Sequence, residues 1–270
     1  MRETISAVVL TFNEEEFVRD CLESVKWVDE IVVVDSGSTD RTLDICREYT
    51  DRIFYREFKG FGSQKNFAIE RASCDWVLYI EADERATPGL VAEIKEVLSG
   101  RGKGFVGFKV PRLYVHRGRP LRHGGFYPHL ELRLFRRGKA KFEERLRHSS
   151  ARAEGPVGRL RSPIIHLVSR GDYLEFLRRS VEYARLEAEQ DFKEGIRATL
   201  PKMVLLPAWR FMARYFLKLG FLDGVPGLLF CFARAFQDFV EYAALWELER
   251  KGGVEVEARP EGKEMRPLWP

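Results

Sequence analysis

The chain is 270 residues long, with 45% hydrophobic and 32% charged side chains, 22 glycines and 12 prolines. This profile fits one large globular domain, alone or with an appendage, and excludes a disordered, collagenous or multi-span membrane chain. The formal net charge of +4 conceals an acidic first part, residues 1–100, with 12 Lys and Arg against 21 Asp and Glu, and a basic remainder with 33 against 20.

Ile5–Leu10 is a continuous apolar, β-branched run and reads as a buried strand. Asn13–Val28 reads as a helix with Phe17, Cys21, Leu22 and Val25 on one face. Ile31–Val34 is a second buried strand, and Ser38 or Thr39 is placed to cap a helix over Asp40–Tyr49. A short strand at Arg52–Tyr55, a helix at Ser63–Ala72 and a buried strand at Trp76–Ile80 follow, before Thr87-Pro88 opens a helix running to Leu98. Strands alternating with helices over 100 residues predict an α/β fold with a doubly wound, mostly parallel sheet.

Phe105–Arg112 and Leu132–Phe135 read as further strands, separated by a Gly- and His-rich loop at 116–129. Beyond a boundary near Val168–Gly171 the pattern turns helical, through Tyr173–Phe192, Ile196–Leu219 and Val225–Glu249. The expected organisation is therefore a sheet domain over 1–170, a helical extension over 171–250 and a mobile tail over 251–270. Cys21, Cys46, Cys74 and Cys231 are scattered and form no C-x-x-C pair. That speaks against a zinc site or a disulfide framework and for a reducing compartment. Glu14, Glu15 and Glu16 fall where a secretory signal needs its apolar core. No apolar run approaches the ~18–20 residues of a membrane span.

Ligands of open parallel sheets bind beyond the carboxyl ends of the strands. Three such ends carry polar clusters: Thr11-Phe12-Asn13-Glu14, Asp35-Ser36-Gly37-Ser38-Thr39-Asp40 and Glu81-Ala82-Asp83-Glu84. Each alone is an ordinary turn with a helix cap or a solvated acidic end; the three together mark one edge of one sheet. No G-x-G-x-x-G follows the first strand, and neither a P-loop nor a G-x-S-x-G elbow is present. The edge offers carboxylates rather than glycine-lined backbone donors. Carboxylates repel a diphosphate but hold it through Mg²⁺ or Mn²⁺.

The order V-V-L-T-F-N-E-E, V-V-D-S-G-S-T-D-R-T and D-W-V-L-Y-I-E-A-D-E resembles family 2 inverting glycosyltransferases of the GT-A fold. The segments 60–68, 124–137, 155–160 and 216–227 are similar to the bacterial lipopolysaccharide core β-1,4-glucosyltransferase subgroup, and the likeness spans roughly residues 4–250. The resemblance implies that Thr11, Phe12, Asn13, Glu14 and Asp35, with Ser36, Ser38 and Asp40, hold the uracil and ribose of a UDP-sugar. It places Gln64 and Lys65 near the nucleotide or sugar. It makes Glu81-Ala82-Asp83 a D-x-D-like motif in which Asp83, with Glu81, binds the divalent metal. Two departures stand out: Glu81 replaces the usual first Asp, and His148-Ser149 replaces a His-Glu pair whose Glu is a natural general base. Inversion requires a base on the acceptor side, and the candidates are Glu131 first, then His148, with Glu143 and Glu144 behind them.

Residues 101–170 hold 18 Lys and Arg against Glu131, Glu143, Glu144 and Glu154. Arg112, Arg117, Arg119, Arg122, Arg133, Arg136, Arg137, Lys139, Lys141, Arg145 and Arg147 are read either as a solvated edge or as a surface for an anionic acceptor. No helix-turn-helix, RNP or zinc signature points to nucleic acid. His123, His129 and His166 read as packing or loop hydrogen-bonding residues. The helices over 200–248 interleave aromatics with Lys and Arg, which suits core packing or an interfacial membrane surface. The function so predicted is transfer of a hexose, glucose by the resemblance, from a UDP-sugar to an anionic glycolipid or lipid-linked saccharide. The expected location is cytoplasmic, on the inner face of a bacterial inner membrane. A polyprenyl-phosphate glycosyltransferase and a non-catalytic nucleotide-sugar or glycan-binding descendant are the alternatives.

Overall fold

The structure, a computed structural model, describes residues 2–144, 150–168 and 173–251. The Ser149 departure, the His148 candidate base and the tail after 251 lie outside these residues.

In chain order the elements are β1 (Ile5–Thr11), α1 (Val18–Val25), β2 (Glu30–Asp35), α2 (Thr42–Arg47), β3 (Ile53–Tyr55), α3 (Phe61–Glu70), β4 (Trp76–Glu81), β5 (Glu84–Ala86) and α4 (Pro88–Glu96). Next come β6 (Gly107–His116), β7 (Arg119–Pro120), β8 (His129–Arg136), β9 (Ala140–Phe142), β10 (Ala151–Ala153), β11 (Val157–Arg159) and β12 (Ile164–Leu167). The last are α5 (Tyr173–Lys193), α6 (Leu200–Met212) and α7 (Gly224–Arg250). They form two compact units, one from residues 1–115 with 128–167, the other from 116–127 with 168–270. The loop at 116–127 thus groups with the helices rather than with the sheet.

In the first unit the sheet runs β3-β2-β1-β4-β8-β6-β12-β5. The first four strands are parallel, as their uninterrupted apolar runs require of strands covered on both faces. β8 then runs antiparallel to both β4 and β6, while β12 is parallel to β6. Every residue of β1 is buried. Ile5, Ala7 and Val9 share a core with Cys21, Leu22 and Val25 of α1, Ile45 of α2 and Leu90 and Ile94 of α4.

Parallel register sets Thr11 beside Asp35 and Leu10 beside Glu81. The three polar clusters are thereby drawn to one edge.

Two helix starts differ from the sequence expectation. α1 begins at Val18, not Asn13, because Asn13 turns the chain with φ 52° and its Oδ1 accepts from Thr39 N at 2.8 Å. α2 is capped by neither Ser38 nor Thr39; Asp40 Oδ1 accepts from Thr42 N at 2.9 Å instead. Thr87 caps α4 as expected, accepting from Leu90 N at 3.3 Å with Pro88 in the first turn.

In the second unit α6 continues through a π-helical turn, Ala213–Leu217, and a 3-10 turn, Gly220–Asp223, leads into α7. His123 donates from its backbone N to Asp223 Oδ2 at 2.8 Å and pairs through Nδ1 with Oδ1 at 2.7 Å. A Cβ on Gly227 would lie 2.0 Å from the Gly220 carbonyl oxygen. Gly227→Ala must therefore push α7 off the 3-10 turn. The expected cost is about 1–3 kcal/mol, read as a lower urea midpoint at unchanged slope.

Candidate active site

The site is built at the carboxyl end of β4, all of it within the first unit. Glu81 ends β4, and the Ala82-Asp83 turn leads into Glu84 of β5, whose Oε2 accepts from Glu81 N at 2.9 Å. Because β8 lies between β4 and β6, its same-face residues Glu131 and Arg133 and the β6 residue Arg112 meet these acids. His166 arrives on β12, opposite Glu84 on one side and Tyr114 on the other.

The result is a packed charge cluster. Arg112 reaches Glu81 at 2.9 Å, Glu84 at 2.5 Å and Glu131 at 3.0 Å. Arg133 reaches Glu131 at 2.8 Å, Glu84 at 3.1 Å and Glu81 at 3.4 Å, with its guanidinium over the Tyr79 ring. Lys65, from α3, stands 3.7 Å from Glu81 and faces the rings of Phe61, Tyr79 and Phe142. Burial pushes the Lys65 ammonium below its ordinary value despite Glu81.

Burial alone would raise each carboxyl, and the outcome depends on the cations that oppose it. For Glu81 the guanidiniums of Arg112 and Arg133 win and hold it well below the usual range. For Glu131 the same pair outweighs burial and brings it to about 2. Glu84 stays raised, because burial and the adjacent Glu81 charge prevail.

Asp83 is buried, yet its Oδ1 has no hydrogen-bond partner among the described residues. Its Oδ2 lies 3.1 Å from His166 Nε2, while His166 Nδ1 lies 2.5 Å from Arg112 Nη2. An arginine only donates, so without a cation Nδ1 accepts and Nε2–H donates to Asp83; Nε2 would give up that proton to ligate a metal. Glu81, Asp83 and His166 each offer a ligand atom within 4.8 Å of the others'. Two carboxylates, one with an orphaned oxygen, and an imidazole make a donor set that fits a divalent cation such as Mn²⁺.

The second cluster is a structured turn. Asp35 Oδ1 accepts from Gly37 N and Ser38 N, both at 2.8 Å, and Oδ2 accepts from Thr11 at 2.9 Å and Ser38 Oγ at 2.5 Å. Gly37, at φ 100°, permits that tight fold. Ser38 Oγ also accepts from Asn13 N, and Glu14 N donates to Thr42 Oγ1. Gln64 donates to Ser36 Oγ and to the Arg56 carbonyl, both at 3.0 Å. Its buried Oε1 has no partner among the described residues. Phe12 is buried rather than presented as an open aromatic face.

His166 is not the packing histidine the sequence suggested but part of the acidic cluster. Arg112 and Arg133 likewise leave the basic surface to which the sequence assigned them; both are buried, and Arg136 is paired to Glu3 at 2.6 Å. The available signals were a histidine within the otherwise apolar strand Ile164–Leu167 and the alternation of Glu131 with Arg133 on one strand face.

The family model for glycosyl transferase family 2 matches residues 6–162. The lipopolysaccharide core biosynthesis glycosyltransferase LpsC of Rhizobium meliloti is 31% identical, over 88% of this chain and 93% of its own. An uncharacterized glycosyltransferase of Rickettsia typhi is 27% identical, over 92% and 88%. The crystal structure of S. aureus TarS with UDP-GlcNAc aligns at TM-score 0.46 and 17% identity, covering 93% of each chain.

Proposed function

The chain belongs to glycosyl transferase family 2, and on that premise we propose that it moves a hexose from a UDP-sugar, with inversion, to a saccharide of a bacterial surface glycolipid. The observation that carries this reading is the Glu81–Asp83–His166 cluster, with its orphaned Asp83 oxygen, at the end of β4. The likeness to LpsC favours lipopolysaccharide core as the acceptor class, and the resemblance of residues 60–68 and 124–137 to core β-1,4-glucosyltransferases is what favours glucose as the sugar. Asp83, Glu81 and His166 would hold Mg²⁺ or Mn²⁺, which offsets the charge of a departing diphosphate when bound. Thr11, Asn13 and Asp35, braced by Ser36, Ser38 and Asp40, line the edge where the uridine would sit. Phe12 and Glu14 support that turn from within, and Ala82 sets the spacing between the two acids. Gln64 Oε1 is free to accept one ligand N–H, and Lys65 brings a cation to the Glu81 side.

Glu131 is our candidate general base. Held at about 2, it is ionised throughout the physiological range and is a weak base at rest. It takes the acceptor proton only as the hydroxyl acidifies during bond formation. Glu131→Gln should then slow the chemical step by about 10²-fold or more. The wild-type rate–pH profile should show no acid limb above about pH 4. An acid limb centred near 6.5 would instead give the proton to a histidine, with His148 next in line.

Membrane attachment, peripheral and on the cytoplasmic face, is the setting we infer for such an acceptor. It is supported by the apolar side chains that α6 and its π-helical continuation expose, Trp209 and Leu217 among them. Among the described residues no single helix is long and apolar enough to cross a membrane.

A thermal-shift panel of UDP, GDP, CDP and ADP, each with and without Mn²⁺, tests the donor reading. Stabilisation by UDP that depends on the metal is the expected result; preference for another base overturns the UDP assignment. Release of UDP from UDP-glucose on adding core glycolipid, but not polyprenyl phosphate, tests the acceptor.

A further inference from the structure

The second unit carries a charged cavity built from none of the residues of the candidate active site. Arg210, Arg214 and Lys218 recur every fourth residue along α6 and its π-helical continuation, and so lie along one side of the rod. Arg234 and Asp238, four apart on α7, complete a cavity of about 340 Å³ that Trp209 also lines. Four cations thus share the cavity with one carboxylate, and Asp238 is already engaged by Arg210 at 2.6 Å.

The remaining three have no ion pair among the described residues. Arg214 donates to the Gly124 carbonyl at 2.9 Å and Arg234 to Gln237 Oε1 at 3.0 Å, both neutral acceptors. Burial pushes the Arg214 guanidinium below its ordinary value, and the nearby Arg234 charge adds to that. Like charges gathered in a partly buried cavity are costly unless an anion joins them.

Beside this cation row, α6 shows solvent an apolar stripe. Leu205, Trp209 and Met212 are exposed, as are Phe216 and Leu217 on the π-helical turn; Trp209 is 61% exposed and Leu217 70%. A free phosphate has no use for such a margin, whereas a lipid brings anion and chains together.

We propose that the Arg210–Arg214–Lys218–Arg234 cavity binds the phosphate of an anionic membrane phospholipid, with the apolar stripe of α6 entering the acyl boundary beside it. This deepens the membrane reading given above and rests on it. Paired guanidinium forks match phosphate oxygens. Trp209, amphipathic and at the cavity rim, sits at the level of the headgroups.

Flotation of the full chain with vesicles tests both layers separately. Phosphatidylcholine vesicles report the apolar face, and the same vesicles doped with phosphatidylglycerol add the phosphate-linked charge. The doped vesicles should bind at least about 10-fold more tightly, and Arg214→Gln/Arg234→Gln should remove about 10-fold or more of that gain. Lys26→Gln/Arg47→Gln, with the same change of charge on exposed positions of the first unit, should remove much less. If the cavity double variant does not fold, the exposed Lys218→Gln answers alone with a smaller loss in the same direction.

Equal losses in the cavity and control variants would overturn the headgroup site and leave membrane attachment standing. Binding to neither vesicle type would overturn both. Two results in the absence of vesicle binding would reassign the site. Thermal stabilisation by inorganic phosphate would make it a free-anion site, and a dimer in light scattering would give the apolar stripe to a second copy.

Discussion

Asp83→Ala is expected to lower glycosyl transfer by about 10³-fold and to abolish metal-dependent stabilisation by UDP, while leaving the fold intact. The fold should survive because the Asp83 side chain meets His166 alone among the described partners, and Leu167 is bonded through the Asp83 backbone carbonyl. Removing it also relieves the Glu81 carboxylate of a like charge in a buried setting. A nucleotide at ~100 times its dissociation constant stabilises the wild type by about 2.7 kcal/mol. In a chain of this size that moves the melting midpoint by several degrees. The variant should show no such shift with Mn²⁺ and UDP, and an unliganded midpoint at or near that of the wild type. Turnover at the wild-type rate would remove Asp83 from the reaction, and a collapsed midpoint without ligand would make it a structural residue.

Arg133→Met should be the most damaging single change to stability, by about 3–5 kcal/mol at neutral pH. The side chain is 2% exposed and serves Glu81, Glu84 and Glu131 together. Methionine fills much of the space but leaves three carboxylates to Arg112 and Lys65. Lysine should not rescue it, since one ammonium cannot replace a fork that reaches three acids.

The pH dependence separates charge from volume. In the wild type, Glu81 and Glu131 have folded-state values below those of the unfolded chain. The stability they contribute is therefore present above the ordinary carboxylate range and is lost as pH falls, for Glu131 toward about 2. Without Arg133 these carboxyls bind protons more readily when folded. The gap between variant and wild type should accordingly narrow as pH falls from 7 toward about 4, as urea titrations at the two pH values would read. A gap that stays constant would mean that lost packing, not lost charge, dominates.

The polar edge beyond β1, β2 and β4 was legible in the sequence because its information is local. Ile5–Leu10, Ile31–Val34 and Trp76–Ile80 announce buried strands, and Asp35, Glu81 and Asp83 follow where such strands end. Parallel pairing through β1 does the rest. The opposite side of the site was not legible, because Arg112, Arg133 and His166 depend on β8 inserting antiparallel between β4 and β6, and on β12 joining β6. Nothing in a window around Arg133 distinguishes a buried counter-ion from a solvated one; the distinction exists only once Glu81 lies beside it. The same reasoning explains α1, where apolar spacing extended the helix back to Asn13 but could not register that Thr39 holds Asn13 in a turn.

Asp83 and His166 are 83 residues apart in the chain. Asp83 follows β4, whereas His166 comes with β12, the last strand of the first unit. The candidate site is therefore whole only when β12 is docked beside β6 and β5. A cation shared by Asp83 and His166 would act as a clasp across that docking, slowing its reopening. Metal affinity in this protein would then report completed folding as well as readiness for the donor.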